Sequence, residues 1–422
     1  MTMPSPHPAL DVAAVRAHFP ALTTGTAHFD GPGGSQTPAV LAEAVAATLT
    51  SSIANRGAVT AAEQRAETIV QGARAAMGDL LGTDPATVIF GRSMTALTMD
   101  LARTLARCRD WGPGDEVVVT SLDHDANIRP WIIAAETVGA SVRWAELDPE
   151  TGELPPGAVE AVLTERTRLV AVTGASNLIG TRPDLPAIIS AAHAVGALVH
   201  VDGVHLAAHA AVSREQLGAD LLSCSPYKFF GPHLGVLSGR ADLLEELRPD
   251  KLLPSPEAVP ERFEMGTLPY ELLAGTTATV DFIAGLAGLS GSAVSAGSGA
   301  TSAPQTRRER LEASFAAVEA HEDALRARAE DGLAAIDGVH LHSRARHRTP
   351  TLLFTIDGVE PAAVHRHLAA RGINAPASHF YAWDCSHRLG LGPSGGVRVG
   401  MAPYTTQEEV DRLLEGVSEL GC

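Results

Sequence analysis

Three side chains able to do chemistry lie close together near the middle of the sequence. Asp202 ends the apolar run VHVD, and Ser225 and Lys228 follow a second run, ADLLSC, in a turn closed by Gly231 and Pro232. A polar, alanine-rich crossover separates the runs, which predicts neighbouring parallel strands. Ligands bind beyond the carboxyl ends of such strands, so Asp202 and Lys228 could face one site. A carboxylate, an amine and a hydroxyl gathered there suit a cofactor held as a Schiff base. Singly, each has a plain reading: Asp202 as a helix cap, Ser225 as a turn former, Lys228 as a surface lysine. The combination carries the chemistry.

Other segments offer supporting groups. Gly91-Arg92-Ser93-Met94-Thr95 links a short strand to an apolar helix, a place where backbone amides and hydroxyls hold phosphate or where Ser and Thr merely cap. It is neither a Walker loop nor a GxGxxG fingerprint. His124, in HDANIRPW, could stack on a flat cofactor or cap a turn. Arg398, on a short strand expected to carry it outward beside the glycine-rich run from Gly392 to Gly396, suits a bidentate carboxylate contact; an ordinary surface arginine is the alternative. His200, His205 and His209 match no standard zinc spacing, so no metal site is expected.

The elements that must position these groups alternate. Strands are expected at Thr87–Phe90, Asp115–Thr120, Ser141–Leu147, Thr167–Thr173, Val199–Val201, Ala219–Cys224 and Gly235–Ser238. Helices lie between them, among them Ala39–Leu49, Ala61–Leu80, Gly157–Leu163 and Leu185–Ala194. This is the pattern of a wound α/β sheet with helices on both faces. Ser290 to Pro304 is Gly/Ser/Ala/Thr-rich and reads as a tether. A charged helix from Thr306 to about Ala335 then enters a second domain with strands near Val339–His342 and Thr349–Ile356 and helices at Pro361–Arg371 and Thr406–Leu420.

The 422 residues allow a large core and a second domain. With 32 basic and 49 acidic residues the formal charge is −17, which argues against nonspecific affinity for nucleic acid or anionic membrane. Cys108, Cys224, Cys385 and Cys422 show no paired spacing, which fits a reduced compartment. No signal peptide is expected and no uninterrupted transmembrane stretch stands out; the expected location is cytoplasmic.

Taken in order, HFDGPGGSQTP, FGRSMTALT, HDANIRPW, the Asn177 loop, VDGVH, SPYKFFGP, FEMGTLP and GGVRVG resemble the class V aminotransferase family of pyridoxal phosphate (PLP) enzymes, in its cysteine desulfurase-like branch. The resemblance implies fold type I: a large domain with a mostly parallel seven-stranded sheet and a smaller C-terminal α/β domain. The boundaries would be 1–30 for an N-terminal segment packing with the small domain, 31–289 for the large domain, 290–305 for the insertion and 306–422 for the small domain.

It further implies roles. Lys228 forms the Schiff base, Asp202 pairs with the pyridine nitrogen, His205 sits near the phenolate oxygen and His124 stacks on the ring. Met94, Thr95 and Ser225 lie at the phosphate, with the hydroxyl of Tyr227 where the family usually has a histidine. Thr267 would reach the phosphate of a neighbouring subunit, making a homodimer. Asn177, His379, Tyr381 and Arg398 would face an amino-acid substrate, Arg398 on its α-carboxylate. Tyr381 stands where one branch places a nucleophilic cysteine; Cys385, four residues later, could serve as nucleophile only if the loop is differently arranged, and its plain reading is a buried or incidental cysteine. The preferred expectation is a carbon–sulfur lyase acting on cysteine or an S-substituted cysteine through external aldimine and quinonoid. The alternatives are a cysteine desulfurase forming a persulfide on Cys385 for a sulfur acceptor, an aminotransferase or epimerase, and, from another class, a noncatalytic scaffold.

Overall fold

A computed structural model describes residues 10–289 and 305–420, so the expected tether at Ser290–Pro304 lies outside the described residues. Strands are numbered in chain order: β1 Ala27–His28, β2 Val88–Gly91, β3 Glu116–Thr120, β4 Ser141–Ala145, β5 Thr167–Thr173, β6 Leu198–Asp202, β7 Leu221–Cys224, β8 Gly235–Gly239, β9 Val339–Leu341, β10 Thr351–Ile356, β11 Ile373–Asn374, β12 Ala377–Ser378 and β13 Gly396–Gly400.

Seven strands form the main sheet in the order β2-β8-β7-β6-β5-β3-β4. All of its pairings are parallel except those of β8, which runs antiparallel to β2 and β7. The central strands are apolar on both faces because both faces are covered. Val170, Val172, Val199 and Val201 point into one hydrophobic core, and their neighbours Leu169, Ala171 and Leu198 into another. The register sets Asp202 beside Thr173 on one side and Ser223 on the other. Those strand ends make the floor of the site.

A second sheet, β12-β13-β10-β9, is antiparallel throughout. Its core holds Leu352, Phe354, Val397 and Val399, and Ala27 and Phe29 pack into it from the N-terminal segment. β1 pairs with β11, and Arg16 donates to Glu409, so that segment lies against the small sheet. One helix, Arg307–Ala334, joins the two bodies. Its Leu311, Phe315 and Val318 belong to a large-sheet core, and Leu325, Ala329 and Leu333 to the small-sheet core.

Two expectations need correction. Arg398 does not point outward; only 1% of it is exposed, because β13 is the second strand of its sheet and faces the large domain. The helix expected at Gly157–Leu163 is Pro156–Glu160, since a proline is preorganised at the first helical position. Tyr270–Leu289 meets the length and composition of a membrane span, but half of its apolar window is buried, with Leu273, Val280 and Ile283 packed in the large core, so it serves as a core helix.

Candidate active site

Two connected cavities open over the carboxyl ends of β5, β6 and β7. The inner one, about 100 Å³, is lined by Ser93, Met94, Thr95, His124, Asn177, Asp202, His205, Ser225, Tyr227 and Lys228 among others. The outer cleft, about 820 Å³, shares Thr95, His124, Asn177, Tyr227 and Lys228 and adds Asp30, His379, Phe380, Tyr381 and Arg398. The expected residues therefore converge, except Thr267 and Cys385, which line neither cavity.

Asp202 is buried at the end of β6, where its Oδ1 accepts from the Val204 amide at 2.9 Å. Burial, opposed by that bond and by Lys228, raises its pKa to about 6. Lys228 sits in a single 3₁₀ turn after β7 and donates to the carbonyls of Pro32 at 2.5 Å and Gly33 at 3.1 Å. Burial and the Arg398 charge lower its pKa to about 7. At neutral pH this amine is partly unprotonated and the carboxylate largely ionised, the states needed for a nucleophile and a counter-ion.

The helix Met94–Cys108 starts at the inner cavity, capped by Ser93, whose Oγ accepts from the Ala96 amide at 3.1 Å. Gly235 makes that approach possible: a Cβ there would lie 2.2 Å from the Ser93 carbonyl carbon. Ser93, read from its segment as either a phosphate-side hydroxyl or a cap, both caps the helix and lines the cavity. His124 is nearly buried, and burial with Lys228 and Arg398 nearby lowers its pKa to about 4, leaving a neutral ring. Beneath it, Asp123 is buried and held by Thr120 and Asn127, with its pKa raised to about 8 by burial. Asn127 in turn accepts from Trp131 Nε1 and meets His200, so the floor is a closed polar network.

Arg398 donates to Asp30 at 2.8 Å and to the Asn177 carbonyl at 3.0 Å, with its guanidinium 3.7 Å from the Phe380 ring centroid. Its Nε has no partner. Asp30 was legible only as part of a glycine-rich motif; its contact spans the length of the chain. Phe380 and Tyr381 both adopt positive φ, 48° and 60°, a conformation costing about 1–3 kcal/mol per residue. The corner is held by Asn177 Nδ2 donating to the Phe380 carbonyl at 2.9 Å and by the Asp125 amide donating to that of Tyr381 at 2.8 Å. It lays the Tyr381 ring against His124, centroids 5.5 Å apart. Tyr227 lies flat against His233 at 4.9 Å, so a histidine does stand beside it, supplied by the loop after Gly231 and Pro232.

Cys385 does not reach this space. It lies in the helix Trp383–Arg388, packed in a hydrophobic core with no exposure, and burial drives its thiol far above the ordinary range. A nucleophilic thiolate is disfavoured there. Thr267 is exposed on a loop reached through Glu264, which accepts from buried Arg74 in a bidentate pair, both contacts 2.8 Å.

The aminotransferase class-V family model matches residues 27–295 and 308–413. The chain belongs to the class V aminotransferase family. An uncharacterized protein of Mycobacterium tuberculosis is 34% identical over 98% of this chain and 100% of its own length. A cysteine desulfurase of Dickeya dadantii is 30% identical over 100% of this chain and 98% of its own. The crystal structure of the cysteine desulfurase CsdA from Escherichia coli superposes with a TM-score of 0.83 at 28% identity, covering 97% of this chain and 98% of that one. This class V chain has the PLP-dependent fold type I and is a PLP-dependent enzyme, not a noncatalytic scaffold.

The residues fit PLP on structural grounds. A buried carboxylate and a buried amine face one cavity that also has a helix N-terminus at its edge. Two polar atoms among its lining, His205 Nδ1 and Asn177 Oδ1, are buried without a partner, as expected of groups meant for a ligand. Among the described residues there is no His/Cys/Asp/Glu group able to hold a metal.

Proposed function

We propose that the protein is a PLP-dependent carbon–sulfur lyase that breaks the Cβ–S bond of cysteine or an S-substituted cysteine and releases the sulfur directly. Lys228, Asp202 and His124 are the residues assigned to catalysis. Relatives that carry the name cysteine desulfurase support cysteine as the substrate and its carbon–sulfur bond as the one cleaved. The observation that carries direct release is that no described cysteine lines either cavity: Tyr381 occupies the corner, and Cys385 is sealed in the core. Desulfuration remains the second reading, favoured by those relatives. It would need an acceptor thiol other than Cys385.

Bound in the inner cavity, PLP supplies a carbonyl for Lys228 and an electron sink for charge developing at the substrate Cα. Asp202, as a carboxylate, would hold a proton on the ring nitrogen and so favour that charge. His124 would cover the ring face. Ser93, Thr95, Ser225 and the amides opening the helix Met94–Cys108 would hold the phosphate, with Met94 and Tyr227 against it. Arg398 would take the α-carboxylate, its unpartnered Nε offering a donor while Asp30 fixes the guanidinium plane, and Asn177 would face the same group. Lys228 would take the α-proton. The bonding pair left at Cα forms a double bond to Cβ as the C–S bond breaks with its pair on sulfur; water then converts the product to pyruvate and ammonia.

The outer cleft, with His379 and Tyr381 on its wall, would receive the sulfur substituent. The active unit in this reading is a cytoplasmic homodimer in which Thr267, exposed on one protomer, reaches the phosphate held by its partner. The test is a panel of cysteine, cystine, cysteine sulfoxides and ordinary amino acids, followed by visible spectrum and by products. Pyruvate and ammonia are expected from the sulfur compounds, with sulfide from cysteine, a persulfide from cystine and a sulfenic acid from the cysteine sulfoxides. An unchanged spectrum with sulfur compounds, together with amino transfer from another donor, would sink the lyase reading.

A further inference from the structure

Packed against His205 lies a run of buried polar groups that the chemistry above does not use. His205 is buried, and its Nε2 is 3.0 Å from the hydroxyls of both Thr349 and Thr351. The ring of His209 meets it edge to face, centroids 4.8 Å apart. His209 Nδ1 is 2.9 Å from Glu322 Oε2 in the connecting helix, and Glu322 is only 1% exposed. Three atoms of this cluster, His205 Nδ1, His209 Nε2 and Glu322 Oε1, have no partner. Glu322 sits between the parts of its helix that serve the two cores, so the run ties both bodies to one ring at the cavity wall.

A carboxylate and an imidazole are costly to bury, and retention of such a pair is explained by specificity or function more readily than by stability. The geometry points to His209 and Glu322 as positioning residues. They form a buried hydrogen-bonded pair that fixes the His205 ring and acts through it on the charge of the cofactor–Lys228 group. Held in place, His205 keeps its unpartnered Nδ1 available to an anionic oxygen of the cofactor, which favours the unprotonated form of that group. The remaining groups acting on the cluster are Glu319 and Asp323 on the same helix, Tyr404 beyond β13, and Lys228 and Arg398 across the cavity. Burial raises Glu322 to about 7, with His209 as its main opposing influence, so the carboxylate depends on its partner. This inference rests on PLP binding and not on the lyase reading.

The test is a pH titration of the visible absorbance of the holoenzyme without substrate. Glu322→Gln removes the carboxyl that anchors His209 and so loosens the His205 ring, and the midpoint should rise by about half a pH unit, roughly a threefold change in the equilibrium. The double change His209→Phe with Glu322→Leu replaces the pair by apolar groups, and the same upward shift is expected. Folded variants whose titrations superimpose on the wild type would overturn the inference. Nitrogen-15 histidine spectra of the wild-type and Glu322→Gln holoenzymes decide it apart from stability: the His205 ring-nitrogen signals must shift in the variant, and unmoved His205 signals refute the coupling. A purely structural pair would lower the melting temperature without moving the midpoint.

Discussion

Lys228 gives the sharpest quantitative expectation. An ordinary lysine, with a pKa near 10.4, is unprotonated to about one part in 2,500 at pH 7, whereas Lys228, brought to about 7 mainly by burial and by Arg398, is about half unprotonated. Amine availability at neutral pH is thus raised about a thousandfold. Mixing apoprotein with PLP in a stopped-flow instrument should show visible absorbance appearing at a rate that climbs tenfold per pH unit below the midpoint. The rate should bend near pH 7 and flatten above about pH 8. Arg398→Met removes a cation that lowers the lysine and frees Asp30, which raises it, so both effects push the midpoint up. The shift is on the order of one unit, that of a single charge. Borohydride trapping and peptide mapping would confirm Lys228 as the attachment point. A rate that keeps climbing tenfold per unit through about pH 9 in the wild type, or an unmoved midpoint in Arg398→Met, would refute the electrostatic reasoning.

Three further outcomes follow from the site and its supports. Cys385→Ala should retain full sulfur release in a product assay and lose only about 1 kcal/mol of stability in urea, because a small buried side chain is all that goes. Asp202→Asn keeps an oxygen for the Val204 amide but loses the charge; turnover should fall by about a hundredfold or more while circular dichroism and melting stay close to wild type. Arg74→Met strands the Glu264 carboxylate, which is 4% exposed, without its bidentate partner and should destabilise the fold by about 3–5 kcal/mol in urea unfolding.

Much of the scaffold was legible because its strands are short apolar runs with clear boundaries. Thr167–Thr173 and the helices Ala39–Leu49 and Leu185–Ala194 match residue for residue, and Asp202 does end its strand. Misses came where local geometry intervened. The turn Pro85–Thr87 takes the first residue expected of β2, and the helix expected at Gly157–Leu163 starts and ends earlier, at Pro156–Glu160. The cavity-lining residues carried signals in their own segments; their partners did not. Asp30 meets Arg398, and His209 meets Glu322, across chain separations that no local pattern encodes. The burial of Cys385 agrees with its plain reading as a core cysteine, whereas that of Arg398 was invisible, because it follows from how the small sheet packs against the large one.

The most direct measurement of direct sulfur release is a balance of products from cysteine, with the protein itself analysed by mass spectrometry after turnover. Pyruvate, ammonia and sulfide in equal amounts, with no sulfur added to any cysteine of the chain, is the expected result. Alanine in place of pyruvate, with one persulfide sulfur retained per chain, would contradict it.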